Sequence, residues 1–173
     1  MHSHILLSGA CCFALFAAGG VSQASSLSKA DQAFLSMAAK DDMTQAHEGQ
    51  MAEKQAERAE VKDLAKTLVK DHTSSYEQLT ILASKTGAVI PKGIDSGKDA
   101  SIRQLAPLKG ASFDRTFTHD EIEGERRLMA VFKREAQQGQ NPDVKAYASR
   151  MVPVLEKDLK LAEDCGKPVK AGM

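Results

Sequence analysis

The chain has 173 residues, 23 of them basic and 23 acidic, so its formal net charge at neutral pH is zero. This balance argues against nucleic acid as a partner, because binding to phosphates depends on clustered positive charge. Two of the three cysteines fall in the N-terminal apolar segment, so the rest of the chain holds one cysteine and a disulfide framework is excluded.

Residues 1–24 have the features of a secretory signal peptide. An apolar run from Ile5 to Val21 is followed by Ser22-Gln23-Ala24, which places small residues where a signal peptidase cleaves. The run is short for a membrane span. We therefore predict a mature chain that begins at Ser25, has no membrane span and resides in the periplasm, with peripheral outer-membrane association left open.

Two alternatives to a cleaved signal remain at this stage. One is an uncleaved membrane anchor. The other is a lipoprotein modified at Cys11 or Cys12, although Ser8 and Gly9 stand where a leucine normally precedes the lipidated cysteine.

The first predicted helix begins at Ser28, whose side chain can cap the backbone N–H of Asp31. The second begins near Arg58 and ends at Gly87, because glycine readily adopts the left-handed conformation that ends helices. The junction between them contains neither glycine nor proline. Apolar residues recur at helical spacing in both helices: Phe34, Met37, Ala38, Met51, Ala52 and Ala56, then Val61, Leu64, Ala65, Leu68, Val69, Tyr76, Leu79 and Leu82.

A long connection of about residues 87–111 follows, rich in glycine, proline, lysine and serine, with a short helix predicted at 100–105. It is long enough to cross the length of a helical bundle, whereas neighbouring antiparallel helices need only short links.

The third predicted helix runs from about Ser112 to Gly139. Asn141 then caps the fourth helix and Pro142 occupies its first position, where the missing N–H has no cost. The fourth helix ends before Gly166, and Pro153 inside it is expected to remove one hydrogen bond and bend it. Residues 166–173 are predicted to form a flexible tail.

The second half of the chain resembles the first. Residues 60–72 recur 83 positions later, at 143–155, with identical valine, lysine, alanine and valine residues at matched places. The repeat places a helix–helix junction at residues 55–60, equivalent to the well-marked junction before Asn141. We therefore predict an all-α, ferritin-like four-helix bundle within a single domain at 25–165, made of two pseudo-repeated helical hairpins joined by a long crossover.

Each long helix places one ionisable side chain at or near its apolar face: Glu48, His72, Glu125 and Asp158. Inward polar residues from four helices are how metal sites form in bundles, and imidazole with carboxylates suits iron, zinc or manganese. The Glu-x-x-His motif of carboxylate-bridged di-iron sites is absent from the sequence. Two other interpretations stay open, a structural hydrogen-bonded network that requires no cofactor, and proton or redox chemistry.

The sequence contains no nucleophile–base pairing, phosphate-binding loop or dinucleotide fingerprint, so no catalytic or cofactor-binding residue is assigned. The methionines at 37, 43, 51, 129 and 151 follow helical spacing, which core packing explains without a copper site.

Several segments together resemble one family of exported bacterial proteins, named domain of unknown function 4142. They are Glu60-Val61-Lys62, Leu64-Ala65, Leu68-Val69, Asp71-His72, Phe113-Asp114 and Val152-Pro153-Val154-Leu155. The resemblance spans roughly residues 30–163 and implies a ferritin-like fold and a periplasmic or outer-membrane location. In the family pattern, histidines often stand where this chain has Glu125 and Asp158, and an acid is common on the first helix, where Gln45, His47 and Glu48 are the candidates.

The sequence and the resemblance together predict an envelope protein without catalytic activity, which requires no cofactor and is concerned with stress or envelope maintenance. The alternative is a ferritin-like metal-binding protein or oxidoreductase with a site around His72.

Overall fold

The computed structural model describes residues 27–97 and 99–167, so the predicted signal peptide and most of the predicted tail lie outside the described residues. Within that part of the chain all regular structure is helical. The helices are α1 (Lys29–Gln55), α2 (Ala59–Thr86), α3 (Ala100–Leu105), α4 (Gly110–Gln138) and α5 (Pro142–Gly166).

The four long helices form a bundle of two hairpins. Helix α1 packs along α2, and α4 packs along α5; between the hairpins, α2 lies against α5 and α1 against α4. The connection that carries α3 joins the hairpins, and α3 itself contacts α1 and α4. This architecture confirms the predicted all-α bundle with one long crossover.

The helix ends follow the local sequence closely. Ser28 and Asp31 form a reciprocal capping box at the start of α1. Gly87 ends α2 with a φ of 73°, a left-handed conformation that favours glycine. The Asn141 side chain accepts hydrogen bonds from the N–H groups of Asp143 and Val144 at the start of α5. Helix α4 begins at Gly110, slightly earlier than predicted, because its N-cap residue offers no side-chain signal.

The junction between α1 and α2 is stabilised by a residue from the other hairpin. The carboxylate of Asp114, at the start of α4, accepts hydrogen bonds from the backbone N–H groups of Glu57 (3.0 Å) and Arg58 (2.9 Å). Arg58 is the N-cap residue of α2, and Glu57 is the residue before it. The tertiary contact explains why a turn forms there without glycine or proline.

A second carboxylate makes the same contact at the opposite hairpin. Asp31 accepts hydrogen bonds from the N–H groups of Gln140 (3.0 Å) and Asn141 (3.2 Å) at the junction of α4 and α5. Asp31 and Asp114 are 83 positions apart, which is the offset of the sequence repeat. The residues whose N–H groups they accept from are separated by the same offset. We call these two contacts the cross-hairpin clamps. They show that the pseudo-twofold relation extends from the sequence to the tertiary hydrogen bonds.

The interior consists of two apolar clusters separated by a polar layer. One cluster includes Phe34, Leu79, Phe132 and Tyr147, and the other includes Val61, Leu68, Phe113 and Phe117. Between them each long helix contributes buried polar side chains, which together we call the polar layer: Asp42, Gln45, Glu48, His72, Ser75, Thr118, Glu121, Glu125 and Asp158. Along all four helices this layer falls between the residues of the two clusters, so it lies at the middle of the bundle.

None of the helices at residues 27–97 and 99–167 is both long enough and apolar enough to cross a bilayer.

Candidate metal centre

His72 lies at the centre of the polar layer with both ring nitrogens facing carboxylates. Its Nδ1 is 2.9 Å from Oδ1 of Asp42 on α1, and its Nε2 is 3.3 Å from Oε1 of Glu125 on α4. The histidine side chain is 3% exposed, the aspartate 4% and the glutamate 0%. Asp42 and Glu125 are 83 positions apart, so His72 bridges two carboxylates that are equivalent under the repeat.

Asp158 on α5 completes this group. Its side chain is fully buried, and neither of its carboxylate oxygens accepts a hydrogen bond. The ammonium of Lys157 lies 3.3 Å from its Oδ1 and also pairs with Asp71, while the lysine side chain is half exposed. A buried acceptor without a donor costs about 1–3 kcal/mol. Asp158 therefore requires a further positive charge or a proton.

Three of the four sequence-predicted residues converge. One ligand atom from each of His72, Glu125 and Asp158 lies within 4.8 Å of the other two, a spacing that could hold a metal ion. Glu48 does not belong to this set. It is buried elsewhere in the polar layer and lines a cleft between α1, α3 and α4. The geometry brings the three side chains together, and their role as metal ligands stays a prediction.

The buried acids of the layer outnumber its basic groups, and burial shifts the ionisation of these acids and of the neighbouring, partly buried Asp41. Burial raises the pKa of Asp41 and Glu48 to about 7 each and that of Asp158 to about 6. Burial also raises the pKa of Glu121 well above its ordinary range. For His72 burial disfavours the charged ring, but the hydrogen bonds with Asp42 and Glu125 outweigh it and hold the pKa of the imidazole well above its usual value.

Several members of the layer were not predicted from the sequence. Asp42 was missed because Asp41 and Asp42 are adjacent and the periodicity of α1 is weak there. Gln45 was considered only through the family pattern, yet its amide, with the nitrogen toward α4, donates to both carboxylate oxygens of Glu121 at 3.0 Å. Asp42 could have been found from the repeat, since it matches Glu125 at the same offset. Glu121 offers no such signal, because its equivalent is Ala38.

The pKa shifts predict that the metal-free protein is more stable in mild acid. Asp41, Glu48 and Asp158 take up protons on folding, because their unfolded pKa values are 3.8, 4.5 and 3.8 and their folded values are about 7, 7 and 6. This stabilisation is greatest below about pH 4, where the groups are protonated in both states, and it is lost progressively as the pH rises to about 7. The raised pKa of His72 acts in the same direction.

With a chelator present, we expect the free energy of unfolding to be higher at pH 5 than at pH 8 by at least about 1.4 kcal/mol, the equivalent of one pKa unit. Urea denaturation followed by circular dichroism at the two pH values measures this difference. The Asp158→Asn variant, which has one titrating group fewer, should show a smaller difference. Greater stability at pH 8 than at pH 5 would contradict the ionisation states described above.

The bundle resembles solved structures of low sequence identity. CopM in a silver-bound form aligns with a TM-score of 0.62 and 20% identity, covering 78% of this chain and 93% of that one. CopM in a Cu(I)-bound form aligns with a TM-score of 0.64 and 18% identity, again covering 78% of this chain and 93% of that one. A DUF305 fragment from Deinococcus radiodurans gives 0.69 and 13% identity over 80% of this chain and 96% of that one. At these identities the likeness concerns the fold alone.

Sequence comparison identifies the family. No curated protein matches this sequence. The family described as "Domain of unknown function (DUF4142)" matches residues 17–165, which include all five helices but for the last residue of α5. The resemblance inferred from the helix motifs is therefore confirmed, and the chain belongs to the DUF4142 family.

Proposed function

We propose that this protein is a non-catalytic, periplasmic bundle protein that binds one transition-metal ion in its polar layer. The observation that carries the proposal is the fully buried Asp158 beside His72 and Glu125: its Oδ2 has no hydrogen-bond donor, and its Oδ1 is approached by the half-exposed ammonium of Lys157 at 3.3 Å. A cation at this point would supply the positive charge that the surrounding acids lack. Water cannot screen the excess negative charge in a buried site, so a bound ion has a large effect there.

The residues present suit a specific mode of binding. His72 would coordinate through Nε2 while its Nδ1–H donates to Asp42, the arrangement by which a carboxylate commonly orients a metal-bound histidine. Glu125 and Asp158 would add oxygen ligands. Binding would release the proton of Nε2 and free Asp158 from Lys157, whose half-exposed side chain can turn to solvent.

One nitrogen and two carboxylates favour iron, zinc or manganese over the soft Cu(I) ion, since the set contains no thioether or thiolate. The silver- and copper-bound forms of CopM support the idea that a bundle of this shape can hold a metal. The ligand types in the present chain point to a harder ion than silver.

The location is proposed from residues 1–24, which carry the features of a cleaved export signal. Mass spectrometry of protein from the periplasmic fraction should find Ser25 as the first residue. Acylated protein that begins at Cys11 or Cys12 would overturn this location.

The Asp158→Asn variant tests the metal proposal without harming the fold. Asparagine has nearly the same shape and removes a buried charge that is only partly neutralised by the half-exposed Lys157, so the metal-free variant should be at least as stable as wild type at pH 8. Zinc at 100 times its Kd should stabilise wild type by about 2.7 kcal/mol. Loss of a ligand should weaken zinc binding by at least about 100-fold. Replacing a residue that only hydrogen-bonds to a metal ligand already weakens metal affinity by up to about 100-fold.

Isothermal titration calorimetry and thermal melts, each with and without zinc, measure both effects. Asp164→Asn is the matched control, because Asp164 lies on the same helix and pairs with exposed lysines. If wild type binds no zinc, iron or manganese, or if Asp158→Asn binds as tightly as wild type, the polar layer is a structural charge network and the proposal fails.

A further inference from the structure

The candidate metal centre is closed to solvent. The side chain of His72 is 3% exposed, that of Glu125 is 0% and that of Asp158 is 1%. Both carboxylate oxygens of Asp158 are shielded from solvent. An ion can therefore reach these ligands only if a side chain at the bundle surface moves aside, so the centre requires an entry path.

Two pairs of adjacent residues connect the centre with the surface. Helix α2 carries Asp71 beside His72, and α5 carries Lys157 beside Asp158. The outer members of the pairs are more exposed, with 17% of the Asp71 side chain and 50% of the Lys157 side chain accessible to solvent. The ammonium of Lys157 pairs with the carboxylate of Asp71 and lies 3.3 Å from Oδ1 of Asp158. One half-exposed side chain thus reaches from the surface to a buried ligand atom.

The position of Lys157 indicates where the centre can open. Around the bundle the helices follow the order α1, α2, α5, α4, and the crossover helix α3 packs against α1 and α4. The seam between α2 and α5, which holds Lys157, lies on the opposite side of the bundle. A lysine side chain has a long flexible stem, so its ammonium can turn into solvent without any movement of a helix.

We propose that Lys157 is the gate of the metal centre: its ammonium neutralises Asp158 until a divalent ion displaces it, and the ion enters between α2 and α5 as the lysine turns outward. This inference rests on the proposed function. Two cations beside one buried carboxylate repel each other strongly, because the interior screens charge weakly. Lys157 therefore competes with the ion and lowers its affinity. A monovalent ion brings no more charge than the ammonium that it would replace, so the exchange favours divalent ions.

Lys157→Gln tests the competition, since glutamine keeps a polar side chain and removes the charge. With a chelator at pH 8 the variant should melt at a lower temperature than wild type, because Asp158 loses its counter-charge. With saturating zinc the melting temperatures should be nearly equal, because the lysine has already left Asp158. Zinc affinity should consequently rise by at least about fivefold, the lower end of typical coupling between two ligands. Isothermal titration calorimetry measures this affinity.

Two further variants separate charge from packing. Lys157→Arg keeps the positive charge and should bind zinc with the affinity of wild type. Lys160→Gln is the matched control, because Lys160 lies on the same helix and pairs with the exposed Asp164. It should change neither the zinc affinity nor the difference between the chelated and zinc-loaded melts. Circular dichroism establishes that each variant is folded.

The movement of the gate can be measured directly in wild type. Acetylation of lysine amines, followed by peptide mass spectrometry, should proceed faster at Lys157 when zinc is present, because the ammonium then loses one of its two carboxylate partners. The rate at Lys160 should not change.

The inference is overturned, and the proposed function kept, if wild type binds zinc and Lys157→Gln binds it no more tightly. Equal loss of stability in the chelated and zinc-loaded melts, or acetylation of Lys157 that zinc does not alter, would also overturn it. Both would mean that the lysine has a structural role alone. If neither wild type nor Lys157→Gln binds zinc, iron or manganese, the proposed function fails and this inference fails with it.

Discussion

Replacement of His72 by alanine is expected to lower the free energy of unfolding by about 3–5 kcal/mol at pH 8 in the presence of a chelator. The imidazole is the basic group between the buried carboxylates of Asp42 and Glu125. Breaking a buried ion pair by removing one partner leaves an uncompensated charge, which has a cost of this size. The melting temperature should fall by roughly 2–4 °C for each kcal/mol.

The loss should be smaller at pH 5, because burial raises the pKa of Asp42 and this carboxyl group can then take up a proton. His119→Ala is the matched control: its side chain is exposed, and the change should leave the melting temperature nearly unaltered. Chemical denaturation of both variants at the two pH values provides the comparison. A His72→Ala protein as stable as wild type at pH 8 would mean that the histidine carries no charge and does not bridge the two acids.

Removal of both cross-hairpin clamps should destabilise the bundle by at least about 4 kcal/mol. Asp31 and Asp114 each accept hydrogen bonds from two backbone N–H groups of the opposite hairpin, and both are buried. Hydrogen bonds to a charged group contribute about 1.5–3 kcal/mol. We therefore expect a loss of at least about 2 kcal/mol for Asp31→Ala or Asp114→Ala alone, with a larger loss for Asp31 because its carboxylate also accepts hydrogen bonds from the backbone N–H and the hydroxyl of Ser28.

The two effects should add, because the clamps lie at opposite ends of α1, a separation of about 40 Å for a helix of this length. Urea denaturation of the single and double variants measures this additivity, with Asp63→Ala, an exposed acid of α2, as the control. If the double variant is as stable as the less stable of the two single variants, the two carboxylates act through one shared contact. Single variants as stable as Asp63→Ala would show that the clamps contribute nothing.

The fold could be predicted from local signals wherever those signals were strong. Ser28, Gly87 and Asn141 mark helix ends by their own side-chain chemistry, and α3 was found at its observed position. The junction before α2 carried no such signal and was placed only through the sequence repeat. Its stability comes from Asp114, a residue far away in the sequence, and such a contact cannot be inferred from local periodicity.

The candidate site was predictable in part for a similar reason. His72, Glu125 and Asp158 each interrupt an apolar face, and helical geometry then indicates that they point inward. The periodicity does not show which of the inward residues meet. Glu48 lies at the same inward phase but faces α3, because the crossover packs against α1 at that point. The positions of α3 and of Asp42 relative to His72 depend on tertiary packing, so they required the structure.

The cross-hairpin clamps give this single chain the contact pattern of a twofold dimer whose two subunits are joined into one chain. In a true C2 dimer the contact between two subunits is made twice with identical residues. Here Asp31 and Asp114 make the same contact at the two hairpins. Every substitution in such a dimer also occurs twice. Fusion removes that restriction, and at the positions equivalent to His72 and Asp158 this chain has Leu155 and Ser75. A single imidazole can therefore lie between the equivalent positions Asp42 and Glu125, an arrangement that two identical subunits would have to make twice.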